Sequence, residues 1–402
     1  MKNRRTGLDL MILLEVIILV LVLILGVLKP GLGQIKKKQA KENTEEQAWE
    51  ITTEEVQETD KAKTIADMDI SEPITFSEEV QKKLKKMSDK EKVAQLFITT
   101  PEQLTDVDQV TIAGEGTEKA LKKYPVAGLI YSEQNLIEQE QIRNLIQGTR
   151  DYGKEQTGLR LFMGVAESGG QSASPLAKGA ELEITPSPEE ILDSEEEDAL
   201  SGAVSTRCNY LKDIGFNMVL GPHMDLADKT SEEHDALTYG SDALAAADYI
   251  QEEITAMQSG DVMCAVMSFP GEAADQEDYT VCQAAVDTGV QCIIMSNLAS
   301  QTITGKKNLP CALSAAAAQK LRKDMGYEGL LMTSDLAGKN ITKFYKTSKA
   351  AVKAVQAGEN LLYVTKDFKK AYQAVLKAVK SGEITETVLN NAVGRVLEAK
   401  ME

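Results

Sequence analysis

Eight short apolar runs set the tightest limit on how this chain can fold. They occupy residues 93–99, 126–131, 161–165, 216–220, 262–266, 292–295, 330–332 and 361–364, and a stretch with helical spacing follows each of them. Uninterrupted apolar runs of this length suit strands buried on both faces, as in a parallel sheet covered by helices. Eight strands alternating with helices fit a (β/α)8 barrel, and periodicity leaves an open, doubly wound sheet open as well. Helix-start signals support the alternation. Pro188 precedes an acidic first turn at Glu189 and Glu190, and Ser314 is placed to cap an Ala-rich run ending near Gly326. No internal repeat is visible, and no second domain is expected after the last run.

The seventh run continues differently from the others. Residues 329–336 read Gly-Leu-Leu-Met-Thr-Ser-Asp-Leu, so a strand ends in the polar triplet Thr333, Ser334 and Asp335. In a barrel, the carboxyl ends of the strands form the rim where loops converge on one mouth and where chemistry is done. Together with Tyr327-Glu328 before it and Ala357-Gly358 after it, this stretch resembles family 3 of the glycoside hydrolases. More narrowly, it resembles that family's single-domain β-N-acetylhexosaminidases. The resemblance spans about residues 87–400 and favours the α/β, TIM-like barrel over the open sheet. In that family the strand closes on Ser/Thr, Asp, Asp, Leu, and the first Asp is the nucleophile. The resemblance therefore puts Ser334 at the nucleophile position and Asp335 on the second Asp.

Further motifs repeat this selective pattern. A retaining glycosidase needs a nucleophile and a proton donor about 5–5.5 Å apart. In the resembled branch the donor is a His paired with an Asp, on a loop that follows Lys-His-Phe-Pro-Gly-His-Gly. The matching segment here is Met267-Ser268-Phe269-Pro270-Gly271-Glu272-Ala273, with the Lys and both His replaced. The third-strand motif Asp-x-Glu-Gly-Gly-Arg is matched by Ala166-Glu167-Ser168-Gly169-Gly170-Gln171. Glu167 is displaced by one position, which on a strand means the opposite face. Gly221-Pro222-His223-Met224-Asp225-Leu226 keeps the Asp of Pro-x-x-Asp-Val/Leu, while Leu237-Thr238-Tyr239-Gly240 matches Arg-Ser-Phe-Gly without the Arg.

The resemblance thus supplies a candidate site. Ser334 stands at the nucleophile position, Asp335 is a replacement carboxylate, and Glu272 is a candidate acid, with Glu277 beside it. Asp225, Glu167, Ser268 and Met267 occupy substrate-contact positions. A lone Ser hydroxyl needs an adjacent base to act as nucleophile, and a Glu needs burial to serve as acid at neutral pH. The plainer expectations are a structural hydrogen bond for Asp335, a solvated loop charge for Glu272 and packing for His223. The pattern implies a barrel retained for its shape, with hydrolysis weak or absent, that binds a cell-wall glycan, an amino sugar or an envelope protein. The alternatives are an active glycosidase acting on terminal N-acetyl-β-glucosaminides with a rearranged nucleophile and acid, and a purely structural envelope component.

Residues 10–28 are almost wholly Leu, Ile and Val, interrupted by Glu15 and Gly26. That is long enough for one transmembrane helix, which needs about 20 residues, and longer than a signal-peptide core. Residues 30–80 are dominated by Glu, Asp and Lys and read as a flexible tether carrying Trp49, the chain's one tryptophan. The expected organisation is an anchor over 1–29, an acidic linker over 30–80 and a barrel over 81–402 outside the cytoplasm, at the cell membrane. A net charge of -18 argues against nucleic acid as a partner. Five cysteines without a Cys-x-x-Cys pair, several inside apolar runs, read as buried free thiols. No metal-ligand cluster or phosphate-binding glycine loop stands out, and no cofactor is expected.

Overall fold

A computed structural model describes residues 72–228, 235–271 and 279–401. The expected anchor at 10–28 and most of the expected linker lie outside these residues. Among the described residues, no helix is long and apolar enough to cross a membrane.

The eight apolar runs are strands: β1 Phe97–Thr99, β2 Gly128–Tyr131, β3 Phe162–Ala166, β4 Met218–His223, β5 Met263–Phe269, β6 Cys292–Met295, β7 Leu330–Thr333 and β8 Leu362–Val364. They pair in parallel in the order β7-β6-β5-β4-β3-β2-β1-β8. Between β7 and β8 the ring closes through a single parallel bridge, Met332 to Leu361. The backbone N–H of Thr333 donates to the Leu361 carbonyl at 2.9 Å, and that of Leu361 to the Leu331 carbonyl at 3.0 Å. The result is a TIM-like barrel rather than an open sheet. Its interior is filled by Ile98, Ile130, Phe162, Met218, Leu220, Met263, Ala265, Ile294 and Met332, all buried. Helices cover the outer face, which is why the strands carry no alternation of polar residues.

The first run is only half strand. Ser88 and Glu91 form a capping box, so Val93 and Ala94 belong to the helix Asp89–Ala94 and β1 starts at Phe97. Ser314 caps the helix Ala315–Gln319, which then widens into a π turn over Lys320–Asp324. Pro188 opens the helix Pro188–Leu192 with a capping box from Ser187. All five cysteines are free and buried.

The amino-terminal end of the barrel is its floor. The helix Glu386–Met401 closes it, inserting Val396 into the interior cluster. Lys400 donates from Nζ to the Ala127 carbonyl at 2.7 Å and to Gln95 Oε1 at 2.9 Å. Packed residues begin before residue 80. The backbone N–H of Ile74 donates to Asn391 Oδ1 at 3.0 Å, and Asn391 Nδ2 donates to the Glu72 carbonyl at 2.7 Å. Phe76 lies so close over Gly394 that a Cβ there would meet its ring at 2.2 Å. The helix Glu78–Lys86 buries Val80 and Leu84 beside the terminal helix. Charge density averaged over the acidic stretch hides these few apolar anchors.

Candidate functional site at the barrel mouth

The candidate residues lie at or just past the carboxyl ends of β3, β4, β5 and β7, with Met267 and Ser268 in the last residues of β5 itself. Neighbouring strand ends are laced together by backbone. Ser334 N–H donates to the Met295 carbonyl at 2.9 Å and Ser296 N–H to the Phe269 carbonyl at 2.7 Å, while Met224 N–H donates to the Met267 carbonyl. Met267 packs partly against the barrel interior, and Ser268 beside it is half-buried. Gly221–Pro222, Met267–Ser268 and Phe269–Pro270 are cis peptides.

Ser334 follows β7 and is half-buried, with a hydroxyl at the position where the resembled family has a carboxylate. Asp335 is engaged by its own rim. Its Oδ1 accepts from Ala337 N–H at 2.9 Å and Thr365 N–H at 3.0 Å, and its Oδ2 accepts from the Thr365 hydroxyl at 2.6 Å. Its carbonyl accepts from Asn297 Nδ2 at 2.7 Å. The side chain therefore clamps the turn after β7 to the end of β8, as a structural rim residue would.

Glu167 is also tied back into the wall. It is 1% exposed. Its Oε2 accepts from Leu176 N–H at 2.8 Å, at the start of the helix Pro175–Gly179, and its Oε1 accepts from the Tyr210 hydroxyl at 2.8 Å. Burial raises its pKa, and the Leu176 N–H and the Tyr210 hydroxyl counter part of that rise. The neighbouring loop is held by a second buried group. Arg207 donates from Nη1 to the Ser168 carbonyl at 2.5 Å and from Nη2 to Glu253 Oε1 at 2.6 Å. The Tyr239 hydroxyl donates to Glu253 Oε2 at 2.5 Å, and its ring stacks on Tyr249 at 5.0 Å. Burial opposes the charge on Arg207, but Glu253 holds its pKa above the ordinary value. Gly169, at φ +87°, allows this loop to pass under Pro186, whose carbonyl would lie 2.2 Å from a Cβ. Tyr239, from the fourth-strand motif, thus supports the third-strand loop from behind.

Asp225 is 9% exposed and sits beneath the β5 loop. A Cβ on Gly271, which has φ +105°, would come within 2.5 Å of Asp225 Oδ1, so the Phe-Pro-Gly segment folds directly over this carboxylate. His223 Nδ1 is 3.9 Å from Asp225 Oδ2. The fourth strand therefore brings together an imidazole and a carboxylate that sequence reasoning had treated separately. Glu272, Glu277 and His234 lie outside the described residues. Asn297, after β6, was missed as well. Its Oδ1 is buried and accepts no hydrogen bond from any described residue. The signal for it was the Ser-Asn tail on the sixth run, parallel to the Thr-Ser-Asp tail on the seventh. No group of three or more metal-ligating side chains occurs among the described residues.

Known proteins share this fold. The chain is similar in structure to a glycoside hydrolase family 3 β-N-acetylglucosaminidase from Paenibacillus sp. str. FPU-7, with 25% identity and a TM-score of 0.71, covering 78% of this chain and 62% of that one. It is similar to the β-N-acetylhexosaminidase of Beutenbergia cavernae DSM 12333, with 19% identity and a TM-score of 0.68, over 79% of this chain and 99% of that one. In sequence it is 20% identical over 216 residues to a β-N-acetylglucosaminidase/β-glucosidase of Cellulomonas fimi, covering 46% of this chain and 38% of that protein. The chain thus spans less than two thirds of the Paenibacillus and Cellulomonas proteins and nearly all of the Beutenbergia one. A model of the glycosyl hydrolase family 3 N terminal domain matches residues 88–399, from the capping box before β1 to the helix that closes the floor. With its barrel and that match in agreement, this chain belongs to glycoside hydrolase family 3.

Proposed function

We propose that this protein is a membrane-anchored family 3 barrel that binds a cell-wall glycan, an amino sugar or an envelope protein at its mouth and hydrolyses glycosidic bonds poorly or not at all. The observation that carries the proposal is the state of the two residues after β7. Ser334 offers a hydroxyl where a nucleophilic carboxylate is needed, and the carboxylate beside it accepts three hydrogen bonds from Ala337 and Thr365. A nucleophile must present an oxygen lone pair to the anomeric carbon, and a carboxylate engaged at both oxygens by the rim is poorly disposed to do so. The donor loop supports the same view, because Met267 and Ser268 replace the Lys and His of the resembled pattern.

A second function is favoured by one feature. His223 lies 3.9 Å from Asp225 at the mouth, which places an imidazole beside a carboxylate just beyond hydrogen-bond range. On that basis the protein is an active β-N-acetylglucosaminidase with a relocated acid. Incubating the full-length chain with an aryl N-acetyl-β-glucosaminide separates the two. The binding function predicts no turnover above buffer and saturable calorimetric binding of N-acetylglucosamine oligomers. Turnover that disappears in His223→Asn, Asp335→Asn or Glu272→Gln would establish the enzyme instead. Absence of both turnover and binding would leave only a structural role.

A further inference from the structure

A second site lies at the floor of the barrel, opposite the mouth. A cavity of about 320 Å³ is walled by Arg322, Asn360, Arg395 and the packed segment at Ile74, with Val355 and Val388 on its apolar side. Three independent features make it more than a gap between helices.

The first is backbone. The helix Ala315–Gln319 widens into a π turn over Lys320–Asp324, with Met325 N–H donating to the Lys320 carbonyl at 3.2 Å. Such turns are rare and concentrate at functional positions. This one carries Arg322, which donates to the carbonyls of Tyr327 at 2.9 Å and Gly329 at 2.7 Å and to Asn360 Oδ1 at 3.0 Å.

The second feature is a like-charge pairing. Arg395, from the terminal helix, donates Nη1 to the Glu328 carbonyl, and its Nε and Nη2 donate to no described residue. Burial and the neighbouring Arg395 bring the pKa of Arg322 down to about 10. Two guanidinium groups therefore face one partly desolvated space, an arrangement that costs stability until an anion enters it.

The third feature is a buried acid beside Arg322. Glu359, between Gly358 and Asn360, is fully buried, and neither carboxyl oxygen has a hydrogen-bond partner among the described residues. Burial pushes its pKa well above the usual carboxylate range, and the nearby Arg322 counters part of that rise. Glu328 offsets part of the charge on both arginines, and Glu72 stands on the cavity wall.

We propose that this floor cavity binds a small organic oxyanion, a carboxylate or phosphate group on a short apolar body, between Arg322 and Arg395. The anionic head takes the free donors of Arg395 and the charge of Arg322. The apolar body lies against Ile74, Val355 and Val388. The ligand would touch both the segment through which the chain enters the barrel and the helix that closes it.

The test uses the full-length chain with three probes at matched ionic strength: inorganic phosphate, butyrate and phenyl phosphate, with chloride as control. The expected result is a saturable rise in melting temperature with at least one probe, and deuterium-exchange protection over residues 319–325 and 358–361. Phosphate alone, butyrate alone or the aryl ester identifies which form of oxyanion is taken. Arg395→Gln should weaken binding about tenfold or more, the loss expected for hydrogen bonds to a charged group. No saturable effect with any probe, protection elsewhere on the molecule, or unchanged binding in Arg395→Gln would each overturn the proposal. Should that variant fail to fold, the exchange map on the wild-type chain decides alone.

Discussion

Asp335→Ala distinguishes a rim clamp from a working carboxylate. The carboxylate accepts from Ala337 N–H at 2.9 Å, Thr365 N–H at 3.0 Å and the Thr365 hydroxyl at 2.6 Å. Hydrogen bonds to a charged acceptor contribute about 1.5–3 kcal/mol each. The site is half-buried, so water recovers part of that loss, and the net cost should be about 3 kcal/mol. For a folded body of this size, about 2 °C of melting temperature is lost per kcal/mol, giving a drop of about 6 °C. Asp335→Asn keeps an oxygen for the two backbone N–H groups and should cost about 1 kcal/mol. Differential scanning calorimetry on the full-length chain and both variants makes the comparison. A clamp predicts the order wild type, Asn, Ala in falling stability, with the seam between β7 and β8 gaining deuterium exchange first. A carboxylate held for chemistry predicts the reverse, since strained functional groups relax when replaced. A melting temperature for Asp335→Ala equal to the wild type within 1 °C would refute the clamp.

Ser334→Asp should gain turnover on a dinitrophenyl N-acetyl-β-glucosaminide, whose leaving group departs without a proton. It should remain at least about 100-fold slower on chitobiose, the usual contribution of a general acid; equal rates on both substrates would reveal an acid already in place. Gly271→Ala introduces a Cβ 2.5 Å from Asp225 Oδ1 at a backbone φ of +105°. It should cost about 1–3 kcal/mol and abolish amino-sugar binding at the mouth, and calorimetry showing wild-type affinity would contradict that geometry. Glu359→Gln should change the pH dependence of stability. The folded pKa of Glu359 lies well above 4.5, so above that pH the unfolded chain releases a proton that the folded chain keeps. Its cost therefore grows with pH, by about 1.4 kcal/mol per unit, until the folded pKa is reached. Urea melts at pH 5 and pH 8 should show the variant gaining on the wild type at the higher pH, and parallel curves would show that Glu359 does not titrate abnormally.

The architecture was largely legible because burial on both faces writes itself into the chain as unbroken apolar runs. The misjudged first strand came from a capping box at Ser88 and Glu91, a local hydrogen-bond device that competes with strand pairing and leaves no mark on hydropathy. The early start of packing, at Ile74 and Phe76, escaped because two apolar anchors are diluted in a window of acidic residues. At the mouth, motif position located Ser334 and Asp225 but did not give partners. The sequence cannot say that Glu167 bonds the start of the next helix, or that His223 and Asp225 approach to 3.9 Å, since both depend on loops folding back over the rim. Asn297 escaped because it makes chemical sense only beside Asp335, thirty-eight residues away.

These contacts also give the acidic residues at the barrel rim a structural role, in keeping with the binding function proposed above. Glu167 anchors the helix after β3, Glu253 neutralises the arginine that holds the β3 loop, and Asp335 fastens the end of β7 to β8. Each of these carboxylates is satisfied by groups of its own scaffold, and their hydrogen bonds fix the loops that give the mouth its shape. Double displacement needs the opposite condition, a carboxylate whose oxygen is left for the sugar. Each donor that fixes one of these carboxylates occupies an acceptor position that a sugar would otherwise meet. On the proposed function, a nucleophile would therefore be installed at Ser334, whose side chain closes no seam among the described residues, and not at the acids already present.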